Sequence, residues 1–169
     1  MKISNKHAKI ALYTTRGAMV AALYVLLTLL SAVFGLASGT IQFRLSEMLC
    51  ILPIFMPEAI VGLFIGCGLA NLITGSAPWD IVLGSIATLL GALGAYLMRK
   101  FPKKLKWLST LPTILANAII VPPVLILVYQ DTNPYYLQLL FVTIGEVVCA
   151  GILGSMLYYT LDKTKVFKR

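Results

Sequence analysis

Thirteen of the fourteen Lys and Arg residues fall into three groups, at 2–16, 99–106 and 163–169. The stretches between them are apolar, and several exceed the roughly 20 helical residues needed to cross a bilayer. This alternation leaves few folds open. A soluble domain carries about 25% charged residues, whereas this chain has 12% charged and 59% hydrophobic residues. The expectation is an all-α membrane protein in which residues 1–169 form one integral-membrane domain. A net charge of +8 would fit nucleic acid on its own. The basic groups flank the apolar spans, however, as positive-inside topology requires, so no nucleic-acid partner is expected.

The chain begins like a signal peptide, with Lys2, Lys6 and Lys9 before an apolar run. That run, 17–37, is too long for a cleaved segment and reads as a retained first span. Helices are expected at about 10–37, 45–55, 59–74, 80–98, 108–129 and 135–161, with loops at Gly35, Ser38 and Gly39, at 75–78 and at 130–134. Pro53 and Pro57 leave the second stretch short. It is either a separate span or half of one kinked helix. Charge parity favours six transmembrane helices, because six spans put all three basic groups on one side with both termini cytoplasmic. A short second span is then tilted, partly buried or irregular where it lines a cavity.

Small residues recur four apart at Gly62 and Gly66, Gly91 and Ala95, Gly151 and Ser155, and Ala18 and Ala22. In lipid such pairs let helix backbones approach closely. Gly62-x-x-x-Gly66-x-Gly68 lacks the Lys and Ser/Thr of a phosphate loop, so no nucleotide hydrolysis is expected of this chain. His7 is the single histidine and lies in the basic N-terminal segment. Cys50, Cys67 and Cys149 are far apart within apolar stretches. No metal site, cofactor or disulfide is expected, and the chain does not read as an enzyme.

The fourteenth basic residue, Arg44, sits one span away from the first basic group, within Gln42-Phe43-Arg44-Leu45-Ser46-Glu47. Polar groups at membrane depth are costly and mark functional sites by default. The full set is Gln42, Arg44, Ser46, Glu47, Asn71, Asp80, Asn117 and Glu146. On the six-span layout five helices bring these groups toward the outer half, which suits an outward-facing pocket for a small polar ligand. Structural alternatives stand beside this reading. Arg44 and Glu47 are three apart and can neutralise each other on one helix face. Asp80 can cap the fourth helix. Asn71 and Asn117 can join helices by hydrogen bonds.

The stretch 41–47, Leu52-Pro53, Pro57-Glu58-Ala59, Gly62-Leu63-Phe64-Ile65-Gly66-Cys67, Ala70-Asn71, and Asp80 with Gly84 resemble the signature of queuosine-precursor transporter proteins. The resemblance runs from about 18 to 154. It implies a substrate-binding component of an energy-coupling factor transporter in the cell membrane, with six helices and high affinity for a 7-deazaguanine. It implies docking to a transmembrane coupling protein and two cytoplasmic ATPases, with Ala18 and Ala22 as the docking pair. Substrate contacts are then expected from Gln42, Arg44, Glu47, Asn71, Asp80, Asn117 and Glu146. One carboxylate can accept the ring N–H and exocyclic amine of a deazaguanine side by side, and Glu47 is expected to do so. Gln42, Arg44, Asn71 or Asn117 would donate to the ring carbonyl. Phe43, Trp79, Tyr135 or Tyr136 would stack on the base. An aminomethyl group on the ligand would favour a second carboxylate, Asp80 or Glu146. The competing readings are binding of another vitamin-like molecule, a self-sufficient secondary carrier, and a small intramembrane enzyme or assembly factor using Glu47 and Glu146 as acids.

Overall fold

The computed structural model describes residues 5–36 and 42–164. The expected loop residues Ser38 and Gly39, Ile41 of the polar motif, and the basic residues Lys2, Lys165, Lys168 and Arg169 lie outside them. The described residues form helices and turns, with no strand among them. Four stretches are long and apolar enough to cross a membrane: Lys6–Val33, Pro78–Lys100, Lys103–Leu127 and Tyr135–Thr164. Two shorter apolar helices, Leu45–Ile54 and Ala59–Ile73, complete the set of six.

Local chemistry sets most of the boundaries. Helix α1 (Asn5–Val33) runs into a turn at Gly35, whose φ of +67° suits a residue without Cβ. Helix α2 (Ala59–Ile73) ends the same way before Gly75, at φ +73°. Helix α3 (Pro78–Leu97) opens on Pro78, where a missing N–H costs no intrahelical bond. A 3₁₀ stretch, Lys103–Thr110, leads into α4 (Leu111–Leu127), which carries Pro122 and Pro123 inside it. The last span is three pieces in sequence: α5 (Tyr135–Glu146), a π-helical stretch Val147–Leu153, and α6 (Gly154–Thr164).

The second stretch departs most from a plain α-helix. Leu45–Ile54 is a 3₁₀ helix with Pro53 inside it. At about 2.0 Å per residue its ten residues reach about 20 Å, less than the roughly 30 Å of a bilayer core. Seven of the ten are buried, from Ser46 to Pro53. The segment packs against α1, α3, α6 and the π-helical stretch. It is a plug inside the bundle, and irregular backbone at membrane depth is tolerated when protein covers it. Ser31 Oγ accepts the Leu45 N–H at 3.0 Å, which satisfies the first donor of the segment from a neighbouring helix.

Packing around this plug follows the small residues. A Cβ on Gly62 would strike the Gly17 carbonyl, and one on Gly66 would lie 2.9–3.0 Å from Tyr24 and Ala21. The Gly62 and Gly66 pair therefore seats α2 directly on α1. Gly91 does the same for Thr113 of α4. The core joins Tyr24, Cys50, Leu52, Leu63 and Cys67. Large apolar residues face outward instead, with Leu97 and Leu127 72% and 78% exposed. Ser46, Glu47, Asn71, Asp80 and Asn117 are buried. Polar inside and apolar outside is the arrangement of a protein solvated by lipid. Asp80, near the start of α3 (Pro78–Leu97), is separated from Leu97 and the basic stretch after it by about 26 Å of helix.

Candidate functional site

Two adjoining chambers lie at the end of the bundle opposite the 99–106 basic group. The larger has a volume of about 390 Å³ and is lined by residues from α1, α2, α3 and α4 together with Gln42, Arg44 and Asp131. The smaller, about 20 Å³, is lined by Gln42, Arg44, Glu47, Asn117, Val121, Val142 and Glu146. Gln42, Arg44 and Val121 belong to both walls.

The path to the site starts at Gln42, which lies in extended chain before the 3₁₀ plug. A Cβ on Gly145 would collide with the Gln42 carbonyl, so the bare backbone at Gly145 lets this segment cross α5. The Phe43 N–H donates to the Leu36 carbonyl at 2.8 Å, which ties the segment to the end of α1. Arg44 then projects toward α3, where its Nη2 lies 3.8 Å from Asp80 Oδ2. Among the described residues no ion pair joins Arg44 to Glu47. The internal pair that their spacing suggested is replaced by a longer-range one, because Glu47 turns inward on the 3₁₀ segment.

Glu47 is 2% exposed and surrounded by donors. Tyr24 Oη donates to Oε1. The Cys50 thiol donates to Oε2 at 3.3 Å, and Asn117 Nδ2 lies 3.5 Å from the same oxygen. Such a set satisfies the acceptor oxygens of a carboxyl group removed from water. Thr28 and Ser46 hydroxyls, 2.9 Å apart, continue the polar face of α1. Glu146 closes the smaller chamber from α5. It is 8% exposed, and its Oε2 is buried with no hydrogen-bond partner among the described residues.

Asp80 occupies the third position of α3, and its side chain makes no helix cap. Instead Tyr129 Oη donates to Asp80 Oδ2 at 3.1 Å and accepts the Ala77 N–H at 3.0 Å. Capping is thus ruled out for Asp80, which faces the larger chamber with Tyr129 holding it. Asn71 lines that chamber too, with its Nδ2 3.6 Å from Cys67 Sγ. Asp131 reaches the rim from the α4–α5 turn, where its Oδ1 accepts two N–H groups of Asn133 at 2.8 and 2.9 Å.

Gln42, Arg44, Asn71 and Asp80 therefore line the larger chamber, and Gln42, Arg44, Glu47, Asn117 and Glu146 the smaller. The aromatics expected to stack on a ligand are placed elsewhere. Phe43, Trp79, Tyr135 and Tyr136 line neither chamber, and Trp79 and Tyr136 are largely exposed. Tyr129 is the aromatic on the wall. Sequence reasoning also missed Tyr24 and Thr28. Their signal was present: Tyr24, Thr28 and Ser31 are the polar residues of the first apolar span and share one helical face.

A second concavity, about 910 Å³, runs along α1 and α2. Ala18 and Ala22 are exposed on α1 and line it, together with apolar residues such as Val25, Leu26, Val61 and Ile65. At its mouth Arg16 Nη1 pairs with Glu58 Oε1 at 3.2 Å.

A family model described as QueT transporter matches residues 14–163. The chain is 38% identical over 92 residues to a protein of Lactococcus lactis subsp. cremoris (strain MG1363) named Queuosine precursor transporter QueT. That match covers 53% of each chain, so the chain spans about half the length of this curated relative. No solved structure matches the chain.

Proposed function

The chain belongs to the QueT transporter family, and from that premise we propose that it captures a queuosine precursor at the outer face of the cell membrane. In this reading it is the substrate-binding component of an energy-coupling factor importer, delivering the ligand through a separate coupling protein and two ATPases. The observation that carries the reading is the larger chamber. It is a polar pocket at one end of an apolar bundle, and its volume suits a small heterocycle. Asp80 is the buried carboxylate in that chamber, set by Tyr129 and Arg44. It can accept the ring N–H and exocyclic amine of a deazaguanine side by side. Arg44, Asn71 and Gln42 supply donors for the ring carbonyl, and Tyr129 offers a ring face. The oxygens of Glu47 are engaged by Tyr24, Cys50 and Asn117, and in this reading Glu47 supports the floor of the site while Asp80 reads the base.

The groove beside Ala18 and Ala22 supports the partner half of the proposal. It is apolar, floored by α1 and α2, and open to the outside of the bundle, the face that in this reading receives a partner helix. With three basic groups cytoplasmic, Ala18 and Ala22 fall toward the cytoplasmic end, away from the chambers.

Calorimetry on the purified protein tests the binding step. Deazaguanines should bind with a dissociation constant below about 1 μM, while biotin, riboflavin and thiamine should not. Tight binding of one of these vitamins with none of a deazaguanine would assign the pocket to that vitamin. Uptake into proteoliposomes holding this chain alone, without ATP, would replace the coupled importer with a self-sufficient carrier.

A further inference from the structure

The connection between α3 and α4 lines neither chamber. Residues 97–110 hold Arg99, Lys100, Lys103, Lys104 and Lys106 and no acidic residue. Two ion pairs form among the described residues, Arg16 with Glu58 and Arg44 with Asp80, so none of these cations is neutralised there. Phe101, Leu105 and Trp107 stand exposed among them. Unpaired charge and exposed apolar surface therefore occupy the same short stretch, at the end of two membrane-length helices.

The backbone of this stretch is tied down. The buried Ser109 hydroxyl donates to the Lys106 carbonyl at 2.7 Å, and the buried Thr110 hydroxyl to the Trp107 carbonyl at 3.1 Å. The Arg99 guanidinium carbon lies 3.9 Å from the centre of the Tyr96 ring, which holds that charge against the last turn of α3. A 3₁₀ helix has three residues per turn. Over Lys103–Thr110 this stacks Lys103 with Lys106, Lys104 with Trp107, and Leu105 with Leu108. One edge is cationic, one carries a cation and an indole, and one is apolar.

We propose that residues 99–107 form a docking surface for anionic phospholipid. The lysines meet the negatively charged headgroups, while Phe101, Leu105 and Trp107 enter the acyl boundary beside them. A dissolved anion or an acidic protein face would engage the lysines and leave Phe101 and Leu105 in water. A lipid surface satisfies both kinds of side chain at once. Lysine suits this depth, because its stem lies along apolar surface and its ammonium reaches the headgroups. Tryptophan is favoured at the same level. The surface is separated from Asp80 by about 26 Å of α3, so lipid binding and ligand binding are independent events on one chain.

The chain has two tryptophans. Trp79 lies at the start of α3 and Trp107 beyond its far end, so Trp79→Phe and Trp107→Phe each leave a reporter at one end of the bundle. Each full-length variant is reconstituted in vesicles of phosphatidylglycerol and phosphatidylcholine in equal parts, with one lipid or the other brominated in its acyl chains. Fluorescence quenching of Trp107 should give a lipid association constant about five- to tenfold higher for phosphatidylglycerol, the effect of one or two lysines at an anionic surface. Trp79 should discriminate by less than about twofold. Replacing Lys100, Lys103 and Lys104 together by Gln should reduce the preference at Trp107 to the level at Trp79, with thermal unfolding confirming that the protein is folded. Equal quenching of Trp107 by both lipids, or quenching by neither, would overturn the proposal. A preference that survives the triple substitution, or one equally strong at Trp79, would also overturn it. If inorganic phosphate at constant ionic strength abolishes the preference, the cations form a site for a free anion and the lipid assignment fails.

Discussion

At the scale of single residues, the site was readable where charge is expensive and unreadable where it is not. Arg44, Glu47, Asp80 and Glu146 stand out in an apolar chain because each must be paired or hydrated at membrane depth. Tyr24 and Tyr129 give no such signal, since a tyrosine is as much apolar body as polar tip. Yet Tyr129 Oη joins the Asp80 carboxylate to the Ala77 N–H that begins the α3 region. Tyr129→Phe should therefore loosen Asp80 and the turn together. Tyr129 is 46% exposed, so water replaces part of the loss. Removing its hydroxyl should cost about 1 kcal/mol, or five- to tenfold in deazaguanine affinity. Calorimetry of the variant checks this, and an unchanged affinity would show that Tyr129 does not hold the base-reading carboxylate.

At the scale of elements, the long spans follow from length and hydropathy, but the short second stretch does not. Ten residues ending near Pro53 and Pro57 are compatible with a kinked half-helix or a separate span, because sequence alone does not show what surrounds them. Enclosure by α1, α3, α6 and the π-helical stretch is a tertiary fact, and it lets Leu45–Ile54 run as a 3₁₀ plug. The interruption of the last span by π-helical turns is equally silent in the apolar pattern, which stays continuous across it. Close approaches were partly legible. Gly62 and Gly66 are spaced for helix contact, whereas Gly145 stands alone and carries no pattern. Its role appears only against the Gln42 carbonyl. Gly145→Ala should push that backbone out of place, costing about 1–3 kcal/mol of stability and at least tenfold in affinity through Gln42 and Arg44. Gly151→Ala is the control, because its nearest neighbour, Ile114 Cδ1, lies at an ordinary 3.5 Å. It should leave both nearly unchanged in thermal unfolding and calorimetry.

At the scale of the whole molecule, the proposed orientation rests on the charge pattern, and the proposed coupling surface rests on that orientation. With the basic groups held inside, Lys9→Cys, Lys104→Cys and Lys163→Cys should react with an impermeant thiol reagent only after the cells are opened. Thr132→Cys, on the exposed turn near Asp131, should react in intact cells. The native thiols Cys50, Cys67 and Cys149 are buried and should stay silent. The reverse pattern would invert the protein and place the chambers inside. That orientation in turn fixes what the groove can do. Ala22 precedes Thr28, the first of the α1 residues on the chamber wall, by six residues, or about 9 Å along the axis. Its side chain is exposed in the groove between α1 and α2. A bulky residue there fills space outside the fold and leaves the chamber walls alone. Ala22→Trp should therefore retain deazaguanine affinity within about twofold, since no binding group is moved. A partner helix that needs close backbone approach would be held off. ATP-driven uptake by the reconstituted complex, and co-purification with the coupling protein, should both fall at least tenfold. Normal uptake by Ala22→Trp would place the coupling surface elsewhere on the lipid-facing helices, while loss of ligand binding would show that the two ends of α1 are not independent.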